Sequence, residues 1–242
     1  MKHVIETGTD VAMVTCFDPS ALPNDFDRRV KEDLDATFKA AAAEGRLWIQ
    51  ATGADGAYLF HFYVDEDVPA RIQTYSEEPK TVDCFHVPSG TLWACGAEYA
   101  ACNPLKAGLD RFSHMGAKFE LLPGEYALTA WRIEWPEGME EREMEMRLGK
   151  SKVSRYQRMG VFSGILCVST FLATFFAVIK SIHALTRGGF GTRLRWFWGV
   201  LIFVWSVCIS LMWKLTKTGK DPRRMEVALE FPGIVIHMKK LG

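Results

Sequence analysis

The sequence lacks the short motifs that mark the common enzyme classes. It has no Ser/His/Asp order typical of hydrolases, no HExxH zinc motif, no phosphate-binding loop and no dinucleotide fingerprint. It also lacks a basic patch interleaved with aromatic residues, so nucleic acid is not an expected partner. Carboxylate pairs occur, but none lies in a recognisable catalytic setting. We therefore expect a protein that is not an enzyme and that binds no cofactor.

Charged residues are absent from two long apolar stretches, residues 159–179 and 196–213. A hydrocarbon core about 30 Å thick needs roughly 20 apolar residues in a helix, so each stretch is long enough to cross a bilayer. Lys and Arg bound both stretches, and tryptophans stand at the ends of the second, as in membrane helices. The alternative of two helices buried in a soluble core does not explain these boundaries. We predict a two-helix transmembrane hairpin over residues 159–213.

Small side chains recur at helical spacing along both predicted spans. Such stripes let helix backbones approach closely in lipid. Whether they pair the two spans of one chain or the spans of separate copies is open, so a homo-oligomer is one of two outcomes. The stripe residues are Gly160, Gly164, Cys167 and Thr174 in the first span and Gly199, Ser206 and Ser210 in the second.

Basic residues close to the spans predict the orientation of the hairpin. Five Lys and Arg residues precede the first span, five follow the second, and the connecting loop carries four. This excess favours both termini on the cytoplasmic side of the membrane. The first residues, MKHVIETGTD, contain no apolar signal region that predicts export. The expectation is a multi-pass membrane protein with a cytoplasmic domain, although long domains can be translocated regardless of charge.

The net charge of zero hides an asymmetry between the two halves of the chain. Residues 1–135 contain 12 Lys and Arg against 21 Asp and Glu, a formal −9, and residues 136–242 contain 17 against 8, a formal +9. The basic half suits anionic lipid headgroups, and the acidic half would attract a basic protein partner. Acidity that serves solubility alone is the alternative. The candidate partner-binding residues are Asp65, Glu66 and Asp67.

Hydrophobic periodicity predicts an α+β fold for a soluble domain over residues 1–136. A helix is expected over residues 25–43, where apolar residues recur every four positions until Gly45 ends it. His61 lies within a predicted strand, where a satisfied or solvent-facing histidine is expected. Several short strands with one helix predict an antiparallel β-sandwich with a single packed helix. The predicted strands are residues 10–17, 46–53, 57–64, 71–75, 81–87, 91–95, 118–121 and 126–135.

The segments on either side of the predicted hairpin have distinct patterns. Residues 137–158 predict a charged helical stalk, with acids early and bases late as the helix dipole favours. Residues 214–242 predict a basic flank and then a β-hairpin about Pro232-Gly233, a favoured turn pair. Because a lone hairpin is marginal in water, it should dock on the domain of residues 1–136. That domain would then be discontinuous in sequence.

Four of the six cysteines lie in the predicted soluble domain, at Cys16, Cys84, Cys95 and Cys102. Their spacing matches no disulfide framework, and free thiols are expected in the cytoplasm. Cys84 and His86, with Cys95, Cys102 and His114, offer zinc ligands. A structural zinc site normally has two compact ligand pairs, and only the first pair here is compact. No metal site is predicted, and whether Cys84, Cys95 and Cys102 pair or bind metal is open.

Two segments, FHVPSGTLW at residues 85–93 and LPGEYALTAW at residues 122–131, resemble the closing strands of small β-sandwich domains. Such domains occur among bacterial polymorphic-toxin and type VI secretion immunity proteins. The resemblance implies a binding domain without catalysis and carries over no functional residue. The resulting hypothesis is a membrane-anchored immunity protein that neutralises a toxin at the inner membrane through its acidic β domain. The alternative is an assembly subunit of a membrane complex that oligomerises through its hairpin.

Overall fold

The computed structural model describes residues 1–100, 116–154, 174–175, 179 and 222–242. Both predicted spans lie outside these residues except for Thr174, Phe175 and Ile179, so the hairpin and its stripe of small residues stay predictions. Within the described ranges, no helix is long and apolar enough to cross a membrane. The stripe residues outside the described ranges are Gly160, Gly164, Cys167, Gly199, Ser206 and Ser210.

The chain divides into two compact units. The first comprises Met1–Pro136 with Leu229–Gly242, and the second comprises Glu137–Ala228. The first unit has a mixed α+β fold with two sheets, as the periodicity predicted in outline. Its elements are β1 (Lys2–Thr9), β2 (Met13–Phe17), α1 (Phe26–Glu32), α2 (Leu34–Ala43), β3 (Leu47–Ala51), β4 (Gly56–Val64), α3 (Ala70–Gln73), β5 (Lys80–Val87), β6 (Thr91–Gly96), α4 (Ala97–Ala100), β7 (Gly116–Glu120), β8 (Gly124–Arg132) and β9 (Ile234–Lys240).

The larger sheet has five strands in the order β1-β4-β9-β8-β5, and the smaller has four in the order β3-β2-β6-β7. Strand β9 lies between β4 and β8, with Ile236 opposite both Phe62 and Ala130. It runs antiparallel to β8 but parallel to β4, so the expectation of a purely antiparallel arrangement is wrong. Since β4 and β8 lie on either side of β9 and run in opposite directions, one of the two pairs has to be parallel.

Side chains from both sheets share one hydrophobic core. Cys16 faces this core, whereas the next residue, Phe17, faces helices on the other side of the smaller sheet, as strand alternation requires. The shared core includes Ile5, Val14, Trp48, Phe60, Phe62, Leu92, Tyr126, Leu128 and Ile236. The second cluster joins the helices to the smaller sheet through Phe17, Phe26, Phe38, Leu47, Cys95 and Tyr99.

The predicted single helix over residues 25–43 is two helices, α1 and α2. Asp33 separates them with an extended backbone, at φ −155° and ψ 100°. Its side chain accepts a hydrogen bond from the Ala36 amide at 2.9 Å, which caps the start of α2. Periodicity missed the break because the apolar spacing continues across it, while the capping aspartate competes with helical backbone.

Three further segments differ from their predicted secondary structure. The predicted strand at residues 71–75 is mostly the short helix α3, which begins directly after Pro69, a residue suited to a helix start. Strand β1 was not predicted, although it pairs along its whole length with β4. The first half of the predicted C-terminal hairpin is helical instead, within α6 (Pro222–Ala228).

The second unit contains a helix within residues 137–158, the segment predicted as a helical stalk, and its role as a stalk stays a prediction. Helix α5 (Met139–Leu148) lies beside α6. It has Glu140 and Glu141 in its first turn and Arg147 in its last, the charge order that its dipole favours. Its buried side chains are Met144 and Leu148.

Candidate functional site

The acidic loop that follows β4 is tied into the fold. Asp65 has a positive φ of 50°, and its Oδ1 accepts a hydrogen bond from the Lys240 amide at 2.9 Å. Glu66 lies 2.9 Å from the amino group of Met1, and Asp67 is exposed. Asp65 therefore holds the end of β9 against the end of β4. Partner binding by this loop stays a prediction.

The three described cysteines of the first unit, Cys16, Cys84 and Cys95, form no disulfide with one another. Cys95 is buried in the smaller sheet, whereas Cys84 lies on the edge strand of the larger one. Burial raises the pKa of the Cys16 thiol well above its ordinary value, and the neighbouring Cys95 raises it further. Cys102 and His114 lie outside the described residues. Of the candidate zinc ligands, the structure brings together Cys84 and His86, and Cys95 lies in the other sheet.

A third ligand type joins Cys84 and His86 at the edge of the larger sheet. Within the part of the chain that the structure describes, Cys84, His86 and Glu125 each offer a ligand atom within 4.8 Å of the other two. The Cys84 Sγ lies 4.0 Å from His86 Nε2, and the His86 Nδ1 lies 3.4 Å from the Glu125 Oε1. We call these three residues the edge cluster.

Strand geometry explains why the edge cluster forms. Cys84 and His86 are two residues apart on β5, so they share a face, while Phe85 and Val87 are fully buried on the other. The register of β5 against β8 shifts between Val82 and Phe85. Glu125 on β8 is the register partner of His86. Cys-x-His spacing was visible in the sequence, but Glu125 could be found only from the β5–β8 register.

Gly45, in the turn after α2, lies in close contact with the backbone of β5. Gly45 has a positive φ of 68°, and its carbonyl accepts a hydrogen bond from the His86 amide at 2.8 Å. A Cβ at this position would stand 1.8 Å from the carbonyl oxygen of Cys84. The turn that follows α2 therefore packs directly on the backbone that carries Cys84 and His86.

The protonation of Cys84 bears on what the edge cluster can do. Burial raises the pKa of the Cys84 thiol, and the Glu125 carboxylate raises it further through a hydrogen bond and its negative charge. A thiol, imidazole and carboxylate in this order also occur around nucleophilic cysteines, but there the surroundings lower the thiol pKa. The raised pKa therefore argues against Cys84 as a nucleophile, because the thiolate is the reactive form.

An open groove of about 450 Å³ lies where α2 and α4 meet the smaller sheet. Two apolar residues of its lining are partly exposed to solvent, Val11 at 47% and Leu34 at 41%. Glu98 on its wall accepts hydrogen bonds from the Asp10 amide at 2.7 Å and the Thr9 hydroxyl at 3.1 Å. The lining combines apolar residues with four charged ones: Val11, Met13, Leu34, Asp35, Phe38, Lys39, Ile49, Ala51, Lys80, Ala97 and Glu98.

His61 is a buried, satisfied histidine rather than a ligand. Its side chain is among the buried polar groups, and Nε2 donates a hydrogen bond to the Leu229 carbonyl at 2.7 Å. The pKa of His61 is lowered to about 4, because burial and, to a smaller extent, the charge of Lys2 outweigh the opposing effect of the bond to Leu229. His61 is therefore neutral at physiological pH and ties β4 to the segment that leads into β9.

Comparison with known proteins adds little to this geometry. No family model matches the chain, and no curated protein matches it. A solved structure described as "Crocagin biosynthetic gene J" is similar at 15% sequence identity, covering 59% of this chain and 79% of that chain, with a TM-score of 0.39. A similarity at this level establishes neither a shared fold nor a shared activity.

Proposed function

We propose that this chain is a membrane-anchored binding protein of the immunity type, which neutralises a toxin at the bacterial inner membrane. The observation that carries the binding role is the groove beside α2. It leaves Val11 and Leu34 partly exposed, and apolar surface rimmed by polar groups is typical of a protein-interaction site. The shared core of the two sheets supports a β-sandwich as the scaffold that presents this groove.

Charge and hydropathy support the other parts of the proposal. The formal −9 of residues 1–135 favours a basic partner and speeds its encounter with the domain. The two uncharged stretches, residues 159–179 and 196–213, would hold the domain beside the bilayer. In this proposal a toxin segment inserts an apolar side chain between Val11 and Leu34, and its basic residues meet the acidic domain.

The experiment combines a toxin-protection assay with a binding measurement. A strain that lacks this protein is exposed to each toxin encoded near its gene, with wild-type or variant protein supplied. Leu34→Asp is expected to lose protection and to weaken binding of the purified toxin at least about tenfold, since it places a charge in the apolar contact. The same two measurements apply to Val11→Asp.

The matched control is Leu122→Asp, which changes a leucine that is 68% exposed and does not line the groove. It should protect as well as wild type at equal membrane abundance. If the strain without this protein survives every such toxin, the immunity proposal is wrong. If Leu34→Asp protects as well as Leu122→Asp does, the groove is not the binding surface.

The alternative proposal is an assembly subunit of a membrane complex. It is favoured by the stripe of small residues, which suits close packing of helices in lipid. Replacing Gly160 and Gly164 by Leu should abolish an oligomer detected by cross-linking in membranes, while Val161→Leu should preserve it. An anchored immunity protein would keep most of its toxin binding in the double variant.

A further inference from the structure

We propose that Cys84, His86 and Glu125 bind a zinc ion at the edge of the larger sheet. The three side chains supply a sulfur, a nitrogen and an oxygen, which together form a ligand set that zinc accepts. They come from two adjacent strands: Glu125 on β8 is the register partner of His86, and Cys84 stands two residues before His86 on the same face of β5. This site is independent of the groove and of the toxin-binding role.

The three ligand atoms need to move only slightly closer together to bind one zinc ion. Ligands that surround zinc tetrahedrally at about 2.0–2.3 Å lie roughly 3.3–3.8 Å from one another. The candidate ligand atoms lie within 4.8 Å of one another. His86 and Glu125 keep 38% and 56% of their side-chain surface exposed, so both can rotate toward a common centre. The backbone of β5 stays in place, braced by Gly45.

The donor set selects among divalent ions. Calcium and magnesium prefer oxygen ligands alone, whereas a thiolate with an imidazole suits zinc. Binding replaces the thiol proton of Cys84 with the Zn–S bond, and that proton passes to solvent. Three protein ligands leave one position of a tetrahedral ion for water, and the exposure of His86 and Glu125 makes that position reachable from solvent.

The structural alternative is a surface contact between His86 and Glu125 beside an unrelated cysteine. A solvent-exposed pair of this kind contributes little to stability, with a median of about 0–1 kcal/mol. Such a contact predicts no metal affinity, and it predicts no role for Cys84. The two readings therefore differ in what a metal titration of cysteine and glutamate variants would measure.

The test uses the full chain without a histidine tag, purified in detergent and stripped of metal with a chelator. It is titrated with zinc against a chromophoric competitor, and with cobalt as a spectroscopic probe. We expect one zinc per chain, a thiolate-to-cobalt charge-transfer band, and a higher Tm with zinc. Cys84→Ser should abolish the band and the Tm shift, and Glu125→Gln should weaken zinc binding at least about tenfold.

Two controls keep the test independent of folding and of the other cysteines. Glu120→Gln changes an exposed carboxylate on β7 that is outside the edge cluster, and it should bind zinc as wild type does. The metal-free Tm of each variant should match that of metal-free wild type. The proposal is overturned if wild type binds no zinc. It is also overturned if Cys84→Ser binds zinc normally, or if Cys102→Ser removes the charge-transfer band while Cys84→Ser keeps it.

Discussion

At the scale of single residues, two glycines with similar backbone angles have different surroundings. Gly45 and Gly53 have φ of 68° and 78°, a region that costs a residue with a Cβ roughly 1–2 kcal/mol. Next to Gly53, the nearest atom to an added Cβ is Arg132 Nη1 at 4.0 Å. Next to Gly45, it is the Cys84 carbonyl oxygen at 1.8 Å. The pair therefore separates conformational strain from a steric clash.

We expect Gly45→Ala to destabilise the protein by at least about 2 kcal/mol more than Gly53→Ala, because the backbone of β5 must move to admit the methyl group. Thermal or urea unfolding of the two variants measures the difference. Equal losses would contradict the close approach of the turn after α2 to β5. Because the same movement displaces Cys84 and His86, Gly45→Ala should also weaken zinc binding if the edge cluster binds the ion.

His61 predicts a loss of stability in acid. Its pKa is about 4 in the folded chain against about 6.5 when unfolded, so between these values the unfolded state binds more protons. The stability contributed by neutral His61 is complete above pH 6.5 and falls by up to about 3 kcal/mol as pH drops to 4. His61→Phe should lower stability at neutral pH, because it removes the bond to Leu229, but should flatten this pH dependence. Unfolding curves of both proteins from pH 7 to pH 4 measure the difference, and parallel curves would contradict it.

At the scale of elements, the break between α1 and α2 depends on one side chain. Asp33 caps α2, and loss of such a cap typically costs about 1 kcal/mol. We expect Asp33→Ala to lose about that much unfolding free energy. The control is Asp35→Ala, which removes an acid from the same first turn without removing a cap and should cost less than about 0.5 kcal/mol. Equal effects would mean that charge near the helix start, and not the capping bond, stabilises α2.

The C-terminal strand shows how much of one element the sequence pattern can predict. Alternation and the Pro232-Gly233 turn predict a hairpin that must dock elsewhere, because it cannot be stable alone, and only its second strand is present, as β9. The position of β9 between β4 and β8, and its parallel run along β4, come from pairings of residues far apart in sequence, such as Phe60 with Ile234 and Ala130 with Ile236. No local signal carries such a pairing, since strand registers depend on partners far away in the chain.

At the scale of the whole molecule, the predicted orientation of the hairpin can be tested by thiol labelling of the domain that precedes it. Glu78 is exposed in the turn before β5, which makes it a suitable labelling position. In a Cys84→Ser background, Glu78→Cys should react with a membrane-impermeant thiol reagent only after cells are lysed, because the domain is predicted to be cytoplasmic. The background protein without the added cysteine is the control. Labelling once only the outer membrane is permeabilised would place the domain in the periplasm and reverse the topology.

The sequence by itself determined the α+β class, most strands of the first unit and the charge order of α5. Each of these depends on local sequence signals, namely alternation, turn residues and charge order. A short stretch of sequence is therefore enough to predict it. Only the tertiary structure decided the two-sheet strand order, the place of β9, the groove at α2 and the meeting of Glu125 with Cys84 and His86. These features join residues that are distant along the chain, and pairing and burial, rather than local preference, set their geometry.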